Sequence, residues 1–189
     1  MSSRFIYNHD PAQVFTVGTV GVPGERAFFI QVVSDHGSTT VAVEKNQVAA
    51  LAERLHELLV EVRRSSLKSA DELNIAPLTH LEPLQFPLDE DFRAGIMGIS
   101  WDSDSNRISI EIQALSDYEV EEIIGEDDLV DIDTEVPDLL KFSIRIYQAK
   151  SFVTFATKLV EAGRAACPFC ALPVDPNGHL CPRANGYRR

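Results

Sequence analysis

The sequence predicts an α+β fold: an antiparallel sheet built from two hairpin-strand-helix units, with the helices on one face and a small loop hanging from the C-terminus. Three observations predict it. Period-2 runs rich in Val, Ile, Phe and Thr are joined by connections of only turn length. Two segments with apolar residues three and four apart each follow such a run. The last twenty-odd residues abandon both patterns and hold all three cysteines.

The elements are taken in chain order. Gln13 to Val20 reads as a strand, Val22-Pro23-Gly24-Glu25 as its turn, and Arg26 to Val33 as its partner. Asp35-His36-Gly37-Ser38 turns the chain into a third strand, Thr39 to Val43, so the three form an antiparallel meander. Val48, Leu51, Leu55, Leu58, Leu59 and Val62 then make one apolar helical stripe. A polar linker begins at Arg63-Arg64-Ser65-Ser66, and Pro77, Pro83 and Pro87 keep the next segment extended. Phe92 to Trp101 and Arg107 to Ala114 read as strands around the loop Asp102-Ser103-Asp104-Ser105-Asn106. Leu140 to Tyr147 alternates again and enters a helix from Gln148 to Gly163, with Phe152, Phe155, Ala156, Leu159 and Val160 on one side. Thr40-Val41-Ala42-Val43-Glu44-Lys45-Asn46-Gln47 matches Phe142-Ser143-Ile144-Arg145-Ile146-Tyr147-Gln148-Ala149 in pattern, which suggests a duplicated unit over 1–64 and 90–163. The expected division is an α+β domain over 1–163 and a tail over 164–189.

Composition narrows the function. At 189 residues, 44% hydrophobic and 24% charged, the chain suits one globular domain with a small appendage. No apolar run approaches the roughly 20 residues that cross a bilayer, and the N-terminus turns polar too soon for a signal peptide. The expected setting is the cytoplasm, away from membranes. Net charge is −12, and eleven acids lie between 116 and 138, while no Lys or Arg occurs between Arg107 and Lys141. Such a body repels nucleic acid at long range.

The tail carries the sharpest chemistry. Cys167-Pro168-Phe169-Cys170 is followed, after eight intervening residues, by His179-Leu180-Cys181. Cys167, Cys170, His179 and Cys181 form the ligand set of a closed Cys3His zinc site, in a zinc-knuckle-like loop. Cys-x2-Cys puts two sulfurs on one side of a tight turn. His-x-Cys uses strand alternation to aim both side chains one way. Asp175-Pro176-Asn177-Gly178 is the turn that brings the second pair over the first. Four protein ligands leave no open position for activating water, so the zinc is expected to be structural. Redox thiols and an iron–sulfur cluster are the competing readings. Against the first, Pro173 and Pro176 bar the helix that a redox Cys-x2-Cys opens.

The whole chain resembles an actinobacterial family of conserved proteins of unknown function. The resemblance rests on Phe5-Ile6-Tyr7-Asn8-His9-Asp10-Pro11, on Gly18 to Arg26, and on the Cys-Pro-x-Cys and His-x-Cys-Pro-Arg segments. It brings no activity and no catalytic residues. It implies genes lying near a phosphoinositide-kinase-like and a histidine-phosphatase-like protein, an association with phosphorylation.

Other candidates read as structure. His9-Asp10 and Asp35-His36 sit among turn residues, His56 lies on or beside the buried helix face, and His80 falls in the Pro-rich stretch. No phosphate-cradling loop, nucleophile elbow or His-Glu-x2-His occurs. The leading expectation is a cytoplasmic, non-enzymatic adaptor or regulatory factor with a protein partner, met by the acidic segment and the zinc tail. The alternatives are nucleic-acid binding through Arg183, Tyr187, Arg188 and Arg189, and a phosphate-related enzyme whose site is not located.

Overall fold

A computed structural model describes residues 4–22, 24–65, 74–116, 136–162, 167–172, 174 and 181–183. Seven strands, β1 (Ile6–His9), β2 (Val14–Val20), β3 (Ala27–Ser34), β4 (Gly37–Val43), β5 (Phe92–Asp102), β6 (Arg107–Ala114) and β7 (Leu139–Ile144), form one sheet ordered β1-β7-β6-β5-β4-β3-β2. Among the described residues two helices, α1 (Lys45–Ser65) and α2 (Ile146–Glu161), pack side by side on one face.

The two meanders, β2-β3-β4 and β5-β6-β7, are antiparallel; turn-length connections require this for β2-β3-β4 and for β5-β6, whereas residues 115–138 separate β6 from β7. The sheet as a whole is mixed, which corrects the expectation of antiparallel pairing throughout. β4 pairs with β5 in parallel, and β1 with β7 in parallel. Parallel neighbours need a long crossover, and α1 with the extended stretch after it supplies one between β4 and β5. α2 begins at Ile146, two residues before its expected start, so Ile146 and Tyr147 belong to the helix and not to the preceding strand.

The ends of the strand order, β1 and β2, are consecutive in the chain, and the bend between them is bonded to both sides of the sheet. In the bend between them, Ala12 N–H donates to Ser143 O (2.9 Å) and Gln13 N–H to Val33 O (2.8 Å), one bond to each end. β5 makes the same junction on the other side: Phe92 and Arg93 pair with β4, a register shift follows between Ala94 and Met97, and the remainder pairs with β6.

A glutamine in the first turn of each helix holds each bend. Gln148 Oε1 accepts Arg145 N–H (2.9 Å) while its Nε2 donates to Ala12 O and Gln13 O (3.2 Å each). Gln47 Oε1 accepts Glu44 N–H (2.8 Å) while its Nε2 donates to Ala94 O (2.9 Å) and Gly95 O (3.2 Å). Neither helix has a Ser, Thr, Asp or Asn before its first residue, so the glutamine caps the free N–H and also spans to the strand. Gln47 therefore corresponds to Gln148, one residue away from the alignment that the pattern suggested.

The core fills the space between the helices and one face of the strands. Ile30, Val32, Val41, Ile108, Ile110, Ile112, Leu140 and Phe142 meet Val48, Leu55, Ile146 and Phe152 there. Phe15 stacks on Phe152 with ring centroids 4.2 Å apart. On the opposite face the extended stretch covers β2 to β4 and satisfies their buried polar groups. Thr16 Oγ1 donates to Glu82 O (2.6 Å), Gln31 Oε1 accepts Gln85 N–H (2.8 Å), and Asp91 accepts Thr40 N–H (2.8 Å). Leu84 lies directly on Gly18, where a Cβ would fall 2.7 Å from its side chain.

Candidate metal centre

Cys167 opens a loop closed by two backbone bonds, Cys167 N–H to Leu172 O and Ala171 N–H to Cys167 O, both 2.8 Å. Pro168 suits the second position of such a turn. Ala171 takes a left-handed conformation (φ 60°), which an L-residue adopts at a cost of about 1–2 kcal/mol. That reversal aims backbone donors at sulfur. Burial raises the Cys167 pKa, but N–H groups of Cys170 and Phe169 outweigh it and hold the thiol below its ordinary value. Cys170 is pushed up by burial and by the neighbouring sulfurs, against the N–H of Leu172.

Cys181 reaches the same point from the far side of the loop. The three Sγ atoms lie within 4.8 Å of one another, and Cys167 Sγ is 3.7 Å from Cys181 Sγ. A disulfide would bring two sulfurs to about 2.0 Å. Two thiolates on a tetrahedral ion at about 2.3 Å sit about 3.8 Å apart. The observed separation fits shared coordination, so the cysteines form a group able to hold a metal ion. Cys167 and Cys181 are buried, at 5% and 2% exposure, yet neither belongs to the core cluster of the body. The loop builds its own small interior around the sulfurs.

The remaining sequence candidates separate. His179 lies outside the described residues, as do Tyr187, Arg188, Arg189 and the acidic stretch 117–135. Arg183 donates to Phe169 O (3.3 Å) and ties the second half of the loop to the first. His9 is not a turn residue: it ends β1 at 3% exposure. Its ring lies 2.7 Å from Ser34 Oγ through Nδ1 and 2.8 Å from Thr39 Oγ1 through Nε2. Two hydroxyls serve either tautomer of a neutral imidazole. Burial lowers its pKa, the charge of His36 adds to this, and Asp91 opposes it. His36 is an exposed turn residue, His56 is exposed on α1 beside the cleft between the helices, and His80 is exposed with its ring near Thr79 Oγ1. Sequence reasoning missed Ala171, whose signal was its place directly after the Cys-x2-Cys pair.

The described part of the chain is thus an α+β body plus a cysteine cluster within the last 23 residues. The chain belongs to the family described as "Protein of unknown function (DUF3090)". The family model matches residues 7–181, from Tyr7 in β1 to Cys181, so it takes in both the body and the cysteine cluster. No curated protein and no solved structure matches the chain. No helix among the described residues is long and apolar enough to cross a membrane.

Proposed function

We propose that this family member is a zinc-binding adaptor of the cytoplasm, its zinc a structural ion held by Cys167, Cys170, His179 and Cys181. The observation that carries the reading is the 3.7 Å sulfur pair with a third sulfur within 4.8 Å. His179 stands two residues before Cys181, the spacing at which strand alternation puts two side chains on one side. Three thiolates and one imidazole complete a tetrahedron and suit Zn²⁺, a borderline-soft ion. The ion's role is to order the tail. A short segment with few apolar side chains cannot offset its own conformational entropy, whereas structural zinc contributes roughly 10–16 kcal/mol in finger peptides.

Phe169 and Leu172, 46% and 51% exposed beside the sulfurs, support a contact role for the ordered loop. The acidic run 116–138 supplies a second surface, suited to a basic partner. Elemental analysis of freshly purified protein tests the metal reading. One zinc per chain and no visible absorbance are expected; a brown iron-bearing protein, or none of either metal, overturns it. Copurification with wild type and with Cys181→Ser tests the adaptor reading. Partners lost by the variant while its body stays folded support the tail as the contact; an unchanged set of partners refutes it.

A further inference from the structure

The three clustered sulfurs differ in what can reach them. Cys167 and Cys181 are buried, whereas Cys170 is only partly covered and stands between Phe169 and Leu172, both exposed. The loop accounts for the difference. Its two backbone bonds, Cys167 N–H to Leu172 O and Ala171 N–H to Cys167 O, close over Cys167. Arg183 draws the chain that follows Cys181 onto Phe169 O. No bond of this kind encloses the Cys170 side chain among the described residues, although its sulfur still lies within 4.8 Å of the other two.

Zn²⁺ has no redox chemistry of its own, so an oxidant that meets such a centre acts on sulfur. Oxidation of cysteine follows thiolate character and exposure. Metal-held cysteines are all thiolates, so exposure decides among the three.

We infer that Cys170 is a site of oxidation by hydrogen peroxide, and that its oxidation releases the zinc, so that the ordered tail belongs to the reduced protein. The release rests on the zinc reading above; the sulfur chemistry rests on the cluster alone. The Cys170 thiolate attacks one peroxide oxygen: an S–O bond forms, the O–O bond breaks and hydroxide leaves, giving a sulfenic acid. A second thiolate attacks the sulfenic sulfur, an S–S bond forms and a second hydroxide leaves. Both hydroxides take protons from solvent. Two thiolates, one peroxide and two protons thus become one disulfide and two waters. Either neighbour, starting within 4.8 Å, closes to about 2.0 Å and captures the sulfenic acid before further peroxide carries it to the irreversible sulfinic acid. The ion loses two of its three thiolates, which lowers its affinity by about four orders of magnitude or more. A dithiol reductant cleaves the disulfide and restores the ligands, so the change is a switch. With the ion gone, Phe169 and Leu172 lose the fixed presentation that makes them a contact surface.

The test titrates the full-length zinc protein with hydrogen peroxide while a chromophoric chelator reads the released ion. Remaining thiols are alkylated at early times, and the disulfide is mapped by mass spectrometry. One zinc released per peroxide consumed is expected, with the early disulfides containing Cys170 and with zinc bound again after dithiothreitol. N-ethylmaleimide on the untreated protein should label Cys170 about tenfold faster than Cys167 or Cys181, and equal rates reject the access argument. Zinc retained with all three thiols intact overturns the proposal and leaves the metal reading standing. An early Cys167–Cys181 disulfide with Cys170 alkylated overturns attack at Cys170. Protein purified without zinc sinks the metal reading and the release with it, while the mapped disulfide still decides whether Cys170 is the oxidised sulfur.

Discussion

Replacing Cys181 by serine removes one of three sulfurs from a cluster whose closest pair is 3.7 Å apart. Structural zinc contributes roughly 10–16 kcal/mol over four ligands, or about 2.5–4 kcal/mol each. At 1.4 kcal/mol per decade, the affinity of Cys181→Ser should drop by about two to three orders of magnitude. Competition against a chromophoric chelator reads this directly. His179→Ala should show a loss of the same order, because the imidazole is proposed to hold the fourth position. His9→Gln, which alters a buried histidine of the body, should bind zinc as wild type does. Since Cys167 and Cys181 stand outside the body's core cluster, Cys181→Ser should melt at the wild-type temperature for the α+β body. Unchanged zinc affinity in both Cys181→Ser and His179→Ala would refute the coordination argument. A loss for Cys181→Ser alone would keep the three sulfurs and reject His179.

Four more outcomes rest on the same geometry. The folded-state pKa of His9 is lowered, so the unfolded chain binds its proton more readily. The resulting stability is complete above the ordinary histidine value of about 6.5 and is lost as pH falls below it. Urea unfolding at pH 7.5 and 5.5 should therefore show a larger acid loss for wild type than for His9→Gln, and equal losses would reject the account. Gly18→Ala should cost about 1–3 kcal/mol, because its Cβ would lie 2.7 Å from Leu84; denaturant midpoints measure it. Ala171→Gly should relieve the left-handed strain and tighten zinc binding by up to about 1 kcal/mol, roughly fivefold in the chelator assay. Gln47→Ala and Gln148→Ala should each cost about 1–3 kcal/mol by thermal or urea unfolding, since each strips partners from one N–H and two carbonyls.

The strands that were legible in the sequence are those whose alternation reports one buried face. β6 buries Ile108, Ile110 and Ile112 in strict succession, and Arg107 to Ala114 was read with its observed ends. β1 was missed because its buried residue is His9, a polar side chain satisfied by hydroxyls from β3 and β4 that are distant in sequence. The parallel junctions were not readable either. β4 meets β5 through two residue pairs, and the pairing depends on how α1 returns the chain, which turn-length reasoning does not address. The Pro-rich stretch was correctly read as extended, yet nothing local says that Leu84 will seat on Gly18 across the sheet. In the tail, the nearness of Cys167 and Cys170 is legible because a Cys-x2-Cys turn is a local structure, and Cys181 joins them within 4.8 Å. Ala171 needed the backbone itself: its role comes from φ and not from its side chain.

The two glutamines argue for more than local capping. In both halves one side chain accepts from the residue before a helix and donates twice to the bend where a strand changes partners. Neither bend nor cap alone requires glutamine, since shorter residues cap helices as well or better. The length of the side chain is needed only when one residue must serve both, and this happens twice in corresponding places. We propose that the two halves descend from one duplicated strand-and-helix unit, with the bent strand β1–β2 standing for β5. On that reading Gly98 stands where β2 has Thr16 and Ala50 where α2 has Ser151, so the second half lacks both hydroxyls through which the first holds residues 78–82: Thr16 Oγ1 donates to Glu82 O and Ser151 Oγ accepts Leu78 N–H.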